Sequence, residues 1–218
     1  MESALLRLQL LISQNHLNIS EEEIDRMIAE DEKKRQREDR LAAVRLSRNP
    51  LPSPTEKQNA LFQAVWRRMG KGAVMVICGT RGGGKTSIAR LAQWELIHAG
   101  NPGGTYRIAQ TVMESCANLY SDFPKQTPAA LSARNWLYRT RFLALDEVQD
   151  ILDSQTGSKL VRDVIRQRHS AGLPTLLISN LPAQTSKLCQ TVLDRVQDGG
   201  FIYEVKWPSF RKPTNELE

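Results

Sequence analysis

Apolar residues in this chain fall into two kinds of run, and the two kinds alternate. Short, nearly unbroken stretches such as AVMVIC (73–78), FLAL (142–145) and TLLIS (175–179) have the length and composition of parallel strands buried on both faces. GTYRIA (104–109) and FIYEV (201–205) bring the candidate strands to five. Between most of them the pattern is helical. SIARLAQWELIHAG sets Ile88, Leu91, Ala92 and Leu96 on one face and stops at Gly100. EKQNALFQAVWRRM carries Ala60, Leu61, Ala64, Val65 and Met69, opens on a Thr55/Gln58 capping box and stops at Gly70. Strands alternating with helices predict an α/β fold with a five-stranded, mostly parallel sheet, whose ligands belong at the carboxyl ends of the strands.

The pattern changes before residue 50. Ser20 and Glu23 make a capping box, Glu22/Arg26, Glu30/Lys34 and Asp31/Arg35 are spaced as helix-stabilising pairs, and residues 30–40 contain no apolar side chain. That segment reads as a solvated helix, and residues 5–28 as a small helical cluster. Pro50, Pro52 and Pro54 cannot continue a helix. The expected organisation is a helical N-terminal segment at 1–49, a proline-rich linker at 50–55 and one domain at 56–218.

Charge follows the same division. The net charge is +6, yet residues 1–48 hold nine Lys/Arg against ten Asp/Glu, leaving twenty-one against fourteen for the remainder, or −1 against +7. A polyanion such as nucleic acid is one partner that would account for the basic surplus; an ordinary basic surface is the other reading. The segment SDFPKQTPAALSARNWLYRTR mixes Lys125, Arg134, Arg139 and Arg141 with Phe123, Trp136 and Tyr138, which suits single-stranded DNA, although Trp136 and Tyr138 could equally be core. Cys78, Cys116 and Cys189 are too scattered for a zinc site or a disulfide framework. No run approaches the roughly 18 apolar residues of a membrane span, and LLRLQLLI lacks the basic flank and cleavage site of a secretion signal, so a cytoplasmic protein without a membrane partner is expected.

The chemistry concentrates where the first strand meets the first helix of the domain. Gly79, Thr80, Arg81, Gly82, Gly83, Gly84, Lys85, Thr86 and Ser87 contain the pattern G-x-x-x-x-G-K-[ST], preceded by a strand and followed by a helix. Backbone N–H groups can wrap a triphosphate there because residues without a Cβ let it come close, and the helix N-terminus adds its positive end. ATP and Mg²⁺ are the expected cofactors, with Lys85 on the β- and γ-phosphates and the Thr86 hydroxyl on the metal. The strand FLAL runs into Asp146 and Glu147. Asp146 is placed to hold Mg²⁺ and Glu147 to activate water, though alone the two acids could be an acidic turn. Asn180, at the end of PTLLISN, could touch the γ-phosphate and the attacking water or serve only the turn that follows.

GTRGGGKT, FLALDE and LLISNLP in that order, followed by VLDRV and WPSFR, resemble the AAA+ ATPases of the DnaC and IstB type over roughly residues 56–213. VIRQRHSAGLPTLLISNL is the most similar stretch. The resemblance implies an AAA+ P-loop NTPase domain in which Gly79 to Thr86 are Walker A, Asp146 and Glu147 Walker B, and Asn180 sensor 1. It further implies that Arg195 of LDRV is an arginine finger for a neighbouring subunit's ATP and that Arg211 of WPSFR belongs to sensor 2. DnaC-like sequences often carry Gly-Glu-Arg before the finger block, where this chain reads Cys189, Gln190, Thr191. The function implied is a homo-oligomeric ATPase that loads a replicative DNA helicase, gripping it through the N-terminal arm and engaging single-stranded DNA. The alternatives are an IstB-like transposition helper on duplex DNA and a non-hydrolysing, nucleotide-gated adaptor.

Overall fold

The computed structural model describes residues 49–100, 104–120, 127–182, 188 and 190–210. The N-terminal arm, Phe123, Lys125, Cys189 and Arg211 lie outside them. In chain order the elements are α1 (Glu56–Trp66), a 3₁₀ turn (Met69–Lys71), β1 (Val74–Gly79), α2 (Lys85–His98), β2 (Gly104–Ile108), α3 (Ala109–Tyr120), α4 (Pro128–Arg139), β3 (Phe142–Asp146), α5 (Gln149–Leu152), α6 (Gln155–Ser170), β4 (Thr175–Ile178), α7 (Gln190–Gln197) and β5 (Phe201–Val205). The strand order is β2-β3-β4-β1-β5, and all four pairings are parallel. The sheet is therefore wholly parallel, where the sequence pattern leads one to expect mostly so.

Burial follows from that topology. β1, β3 and β4 are buried at every position, as strands covered on both faces must be, whereas the edge strands β2 and β5 are only partly buried. Alternate residues divide between two cores. Val74, Val76, Cys78, Leu143, Leu145 and Leu177 face the layer of α3, α5, α6 and α7, while Met75, Ile77, Phe142, Ala144, Leu176 and Ile178 face α1 and α2. The Thr55/Gln58 capping box is present, but α1 ends at Trp66, and Met69 falls in the 3₁₀ turn. Its buried face is Leu61, Phe62 and Val65, joined by Gln58, and Ala60 is exposed.

One polar side chain closes the end of the sheet away from the P-loop. Arg168 of α6 is fully buried, and its guanidinium donates to the Thr175 hydroxyl (2.8 Å) and to the carbonyls of Leu137, Thr140 and Pro174 (each 2.7 Å). Burial pushes this group down to about 9, which leaves it charged at neutral pH. Carbonyl dipoles, not a carboxylate, compensate the charge, and the four bonds tie α4 and α6 to the starts of β3 and β4. Arg168→Met keeps much of the volume and removes every donor. It should lower stability by about 3 kcal/mol or more, read as a fall in the urea midpoint, since each stranded buried acceptor costs about 1–3 kcal/mol. An unchanged midpoint would mean that water satisfies those carbonyls.

Candidate functional site

β1 delivers the chain to the glycine loop, and α2 begins at Lys85, directly after it. Gly82 and Gly84 adopt φ of 81° and 80°, a left-handed backbone that side chains resist. The loop is fixed at its start by Gly79 N–H, which donates to Leu181 O (3.1 Å), the residue after Asn180. Lys85 is buried and folds back along the loop, its Nζ donating to Gly79 O (2.9 Å) and Thr80 O (2.7 Å). Its ammonium is thus held inside the curve of the loop by two weak neutral acceptors.

The second half of the site is Asp146, at the carboxyl end of β3 and almost wholly buried. Its Oδ2 accepts from the Thr86 hydroxyl (2.6 Å) and from the Tyr106 phenol (2.7 Å), while Oδ1 accepts from the N–H of Glu147 (2.9 Å). Burial, then the bond to Asp146, pushes the Tyr106 phenol well above its ordinary range, so it remains a donor. The Arg90 guanidinium lies over the Tyr106 ring, 4.9 Å from its centre. Glu147 adopts φ 59°, a conformation that costs a residue with a Cβ about 1–2 kcal/mol. Strain of this kind collects at functional positions.

Asn180 is brought to the same place by the neighbouring strand. Val148 N–H donates to Ile178 O (3.1 Å), and Gln149 Oε1 accepts from Asn180 N–H (3.0 Å), which lays the turn after β3 along the end of β4. Lys85, Thr86, Asp146, Glu147 and Asn180 therefore converge at the carboxyl ends of β1, β3 and β4. Arg195 does not join them: it lies half-buried on α7, and among the described residues no hydrogen bond or ion pair links it to this group. Its Nε is buried without an acceptor.

The aromatic and basic stretch resolves toward packing. Trp136 and Tyr138 are half-buried against the core, and the Tyr138 and Tyr120 hydroxyls both donate to Asp163 of α6. Burial alone would raise the Asp163 carboxyl, but those two phenols and Arg166 hold it below its ordinary value. Arg107 lies over the Trp136 ring at 5.0 Å and Arg134 over the Tyr138 ring at 5.7 Å. Arg139 and Arg141 are exposed.

Four residues at the site escape a reading of sequence. Tyr106 looks like a strand residue, Gln149 like part of an acidic turn, Gln58 like a capping partner and Trp207 like one letter of WPSFR. Each acts across a long separation in the chain, Gln58 included: a Cβ on Gly84 would lie 2.5 Å from its Nε2.

The geometry is that of a P-loop domain, and the fold is the AAA+ fold. A solved DNA replication initiation factor superposes with a TM-score of 0.59 at 17% identity, over 72% of this chain and 49% of that one. The replication initiator DnaA bound to AMPPCP and single-stranded DNA gives 0.57 at 16%, over 70% of this chain and 46% of that. The DnaC helicase loader gives 0.54 at 18%, over 71% of this chain and 93% of that. The chain thus spans about half the length of the first two proteins and nearly all of the third. No family model matches the sequence, and no curated protein is significantly similar to it. At such identities the likeness is one of fold. Among the described residues no helix is long and apolar enough to cross a membrane.

Proposed function

We propose that this chain is an ATPase that acts as a DnaC-like loader of a replicative DNA helicase. The observation that carries the ATPase reading is the 2.6 Å contact between the Thr86 hydroxyl and Asp146, two residues 60 positions apart that meet where the glycine loop opens. Hard oxygen donors of this kind fit Mg²⁺, which takes one or two protein ligands and completes its shell with phosphate and water. Thr86 and Asp146 would hold the metal, whose chemistry is to neutralise charge on the β- and γ-phosphates.

The chain's own groups divide the remaining work. The N–H groups of the loop after Gly79 cradle phosphate, and Lys85 exchanges two carbonyl acceptors for phosphate oxygens, a charge-assisted gain. Glu147 accepts the proton of the attacking water, and Asn180 orients that water against the γ-phosphate. Arg195 reaches the ATP of a neighbouring copy, a role supported by its Nε, which has no acceptor among the described residues. Arg211 is assigned to sensor 2 from the resemblance alone. Homo-oligomerisation follows from a finger given in trans.

Loading is supported by the likeness to the DnaC helicase loader, single-strand binding by the DnaA complex and by the +7 surplus of residues 49–218. Residues 1–49 are assigned the grip on the helicase. Removing them should leave ATP binding intact, leave a single-strand affinity that falls steeply with salt, and abolish co-elution with the host's replicative helicase. Equal co-elution of full-length and shortened protein would refute the arm's role, and failure of the full-length protein to co-elute would refute the loader reading.

A further inference from the structure

Behind the glycine loop, the segment that follows β5 makes two contacts that bear on the phosphate-facing side. The Trp207 indole Nε1–H donates to Gly83 O (2.8 Å), and the Phe210 backbone N–H donates to Gly82 O (3.0 Å). Trp207 is buried, so its bond is shielded from water. The approach is close enough to exclude side chains from the loop. A Cβ on Gly82 would lie 1.9 Å from Ser209 Oγ, and one on Gly83 would lie 2.6 Å from Val205 Cγ1 and 3.5 Å from the indole nitrogen. The glycines here are required by what presses on the loop from behind as well as by a ligand in front.

A trans peptide unit is rigid, and its C=O and N–H point in opposite directions. Gly83 O and Gly84 N–H belong to one such unit, and Gly82 O and Gly83 N–H to the one before it. Drawing the two oxygens toward Trp207 and Phe210 therefore aims the next two N–H groups away from that segment. Each bond also polarises its peptide, which strengthens the N–H as a donor. We propose that Trp207 is a positioning residue for phosphate binding: with the Phe210 N–H it holds the glycine loop in its anion-accepting form before any nucleotide arrives. This rests on the nucleotide reading given above, and it adds a residue that touches no part of the ligand. Preorganisation of this kind raises affinity by removing an ordering cost from the binding step.

Trp207→Phe keeps an aromatic ring in the pocket and removes the donor together with part of the ring volume. ATP·Mg affinity should fall about fivefold, the loss expected for one net hydrogen bond, with KM rising to match and kcat at saturation nearly unchanged, since the interaction is equal in ground and transition states. The intact protein supplies a second reading. Its four tryptophans give four indole N–H resonances, assigned by replacing Trp66, Trp94 and Trp136 one at a time, and the Trp207 signal should move when ATP·Mg is added. Should Trp207→Phe fail to fold, that shift decides alone. A wild-type protein that binds ATP while the Trp207 signal stays still, or a folded Trp207→Phe that binds as tightly, overturns the role of Trp207 and leaves the nucleotide reading standing. A wild-type protein that binds no ATP overturns both.

Discussion

Lys85→Ala should bind no measurable ATP, while Glu147→Gln should bind it as the wild type does and turn it over at least about a hundredfold more slowly. The two residues sit in one site but meet different parts of the reaction. Lys85 already lies inside the loop, where Gly79 O and Thr80 O stand in for the phosphate oxygens it would take up. Its loss removes the ammonium that the loop holds ready for the triphosphate. Glu147 touches Asp146 only through its backbone N–H, so an amide side chain leaves the Thr86–Asp146 contact undisturbed. Gln also keeps a Cβ, so the φ of 59° imposes the same strain in both proteins and drops out of the comparison. Equilibrium binding of a labelled ATP analogue and a phosphate-release assay on both variants check the division. Equal loss of affinity in both would remove Glu147 from water activation.

Mixing should restore what two substitutions separately destroy. Arg195→Ala should lower turnover by roughly 10³–10⁵, the range over which arginine fingers act. Lys85→Ala supplies the missing arginine from an intact α7, and Arg195→Ala supplies the intact loop, so a mixture should recover part of the activity. Arg195 is half-buried on a helix packed against β1, β5 and α6, and its Nε finds no acceptor among the described residues. Arg168, which serves the fold, differs in having all three guanidinium nitrogens engaged. No recovery at any ratio, with mixed assembly confirmed by cross-linking, would mean that Arg195 acts within its own subunit or not on ATP at all.

The strands were legible because a strand buried on both faces leaves a continuous apolar run, and β5 matches FIYEV residue for residue. The phosphate loop was legible because its chemistry is local: nine consecutive residues carry the glycines, the ammonium and the hydroxyl. Partners across the fold leave no such trace. Tyr106 meets Asp146 only because β2 pairs in register with β3, Ile108 opposite Asp146, and no spacing along the chain announces that. Trp136 and Tyr138 stay open in the sequence between core and a stacking platform for bases, since an aromatic beside an arginine reads the same on a surface as in a half-buried layer. Arg168 was one more basic residue of a charged helix, and its burial follows from three carbonyls contributed by two other segments, the end of α4 and the start of β4.

The strand order carries a consequence for how the protein is made. β1 is the strand that presents the glycine loop, yet both its neighbours, β4 and β5, come from the far end of the chain. During synthesis at about 5–20 residues per second, β1 leaves the ribosome several seconds or more before either partner exists. A nascent chain halted between Ser87 and Val205 holds the complete phosphate motif as sequence before β1 has both its partners. Nucleotide should therefore rescue late folding steps only, and chaperones that shield apolar segments should be needed most while residues 74–79 wait.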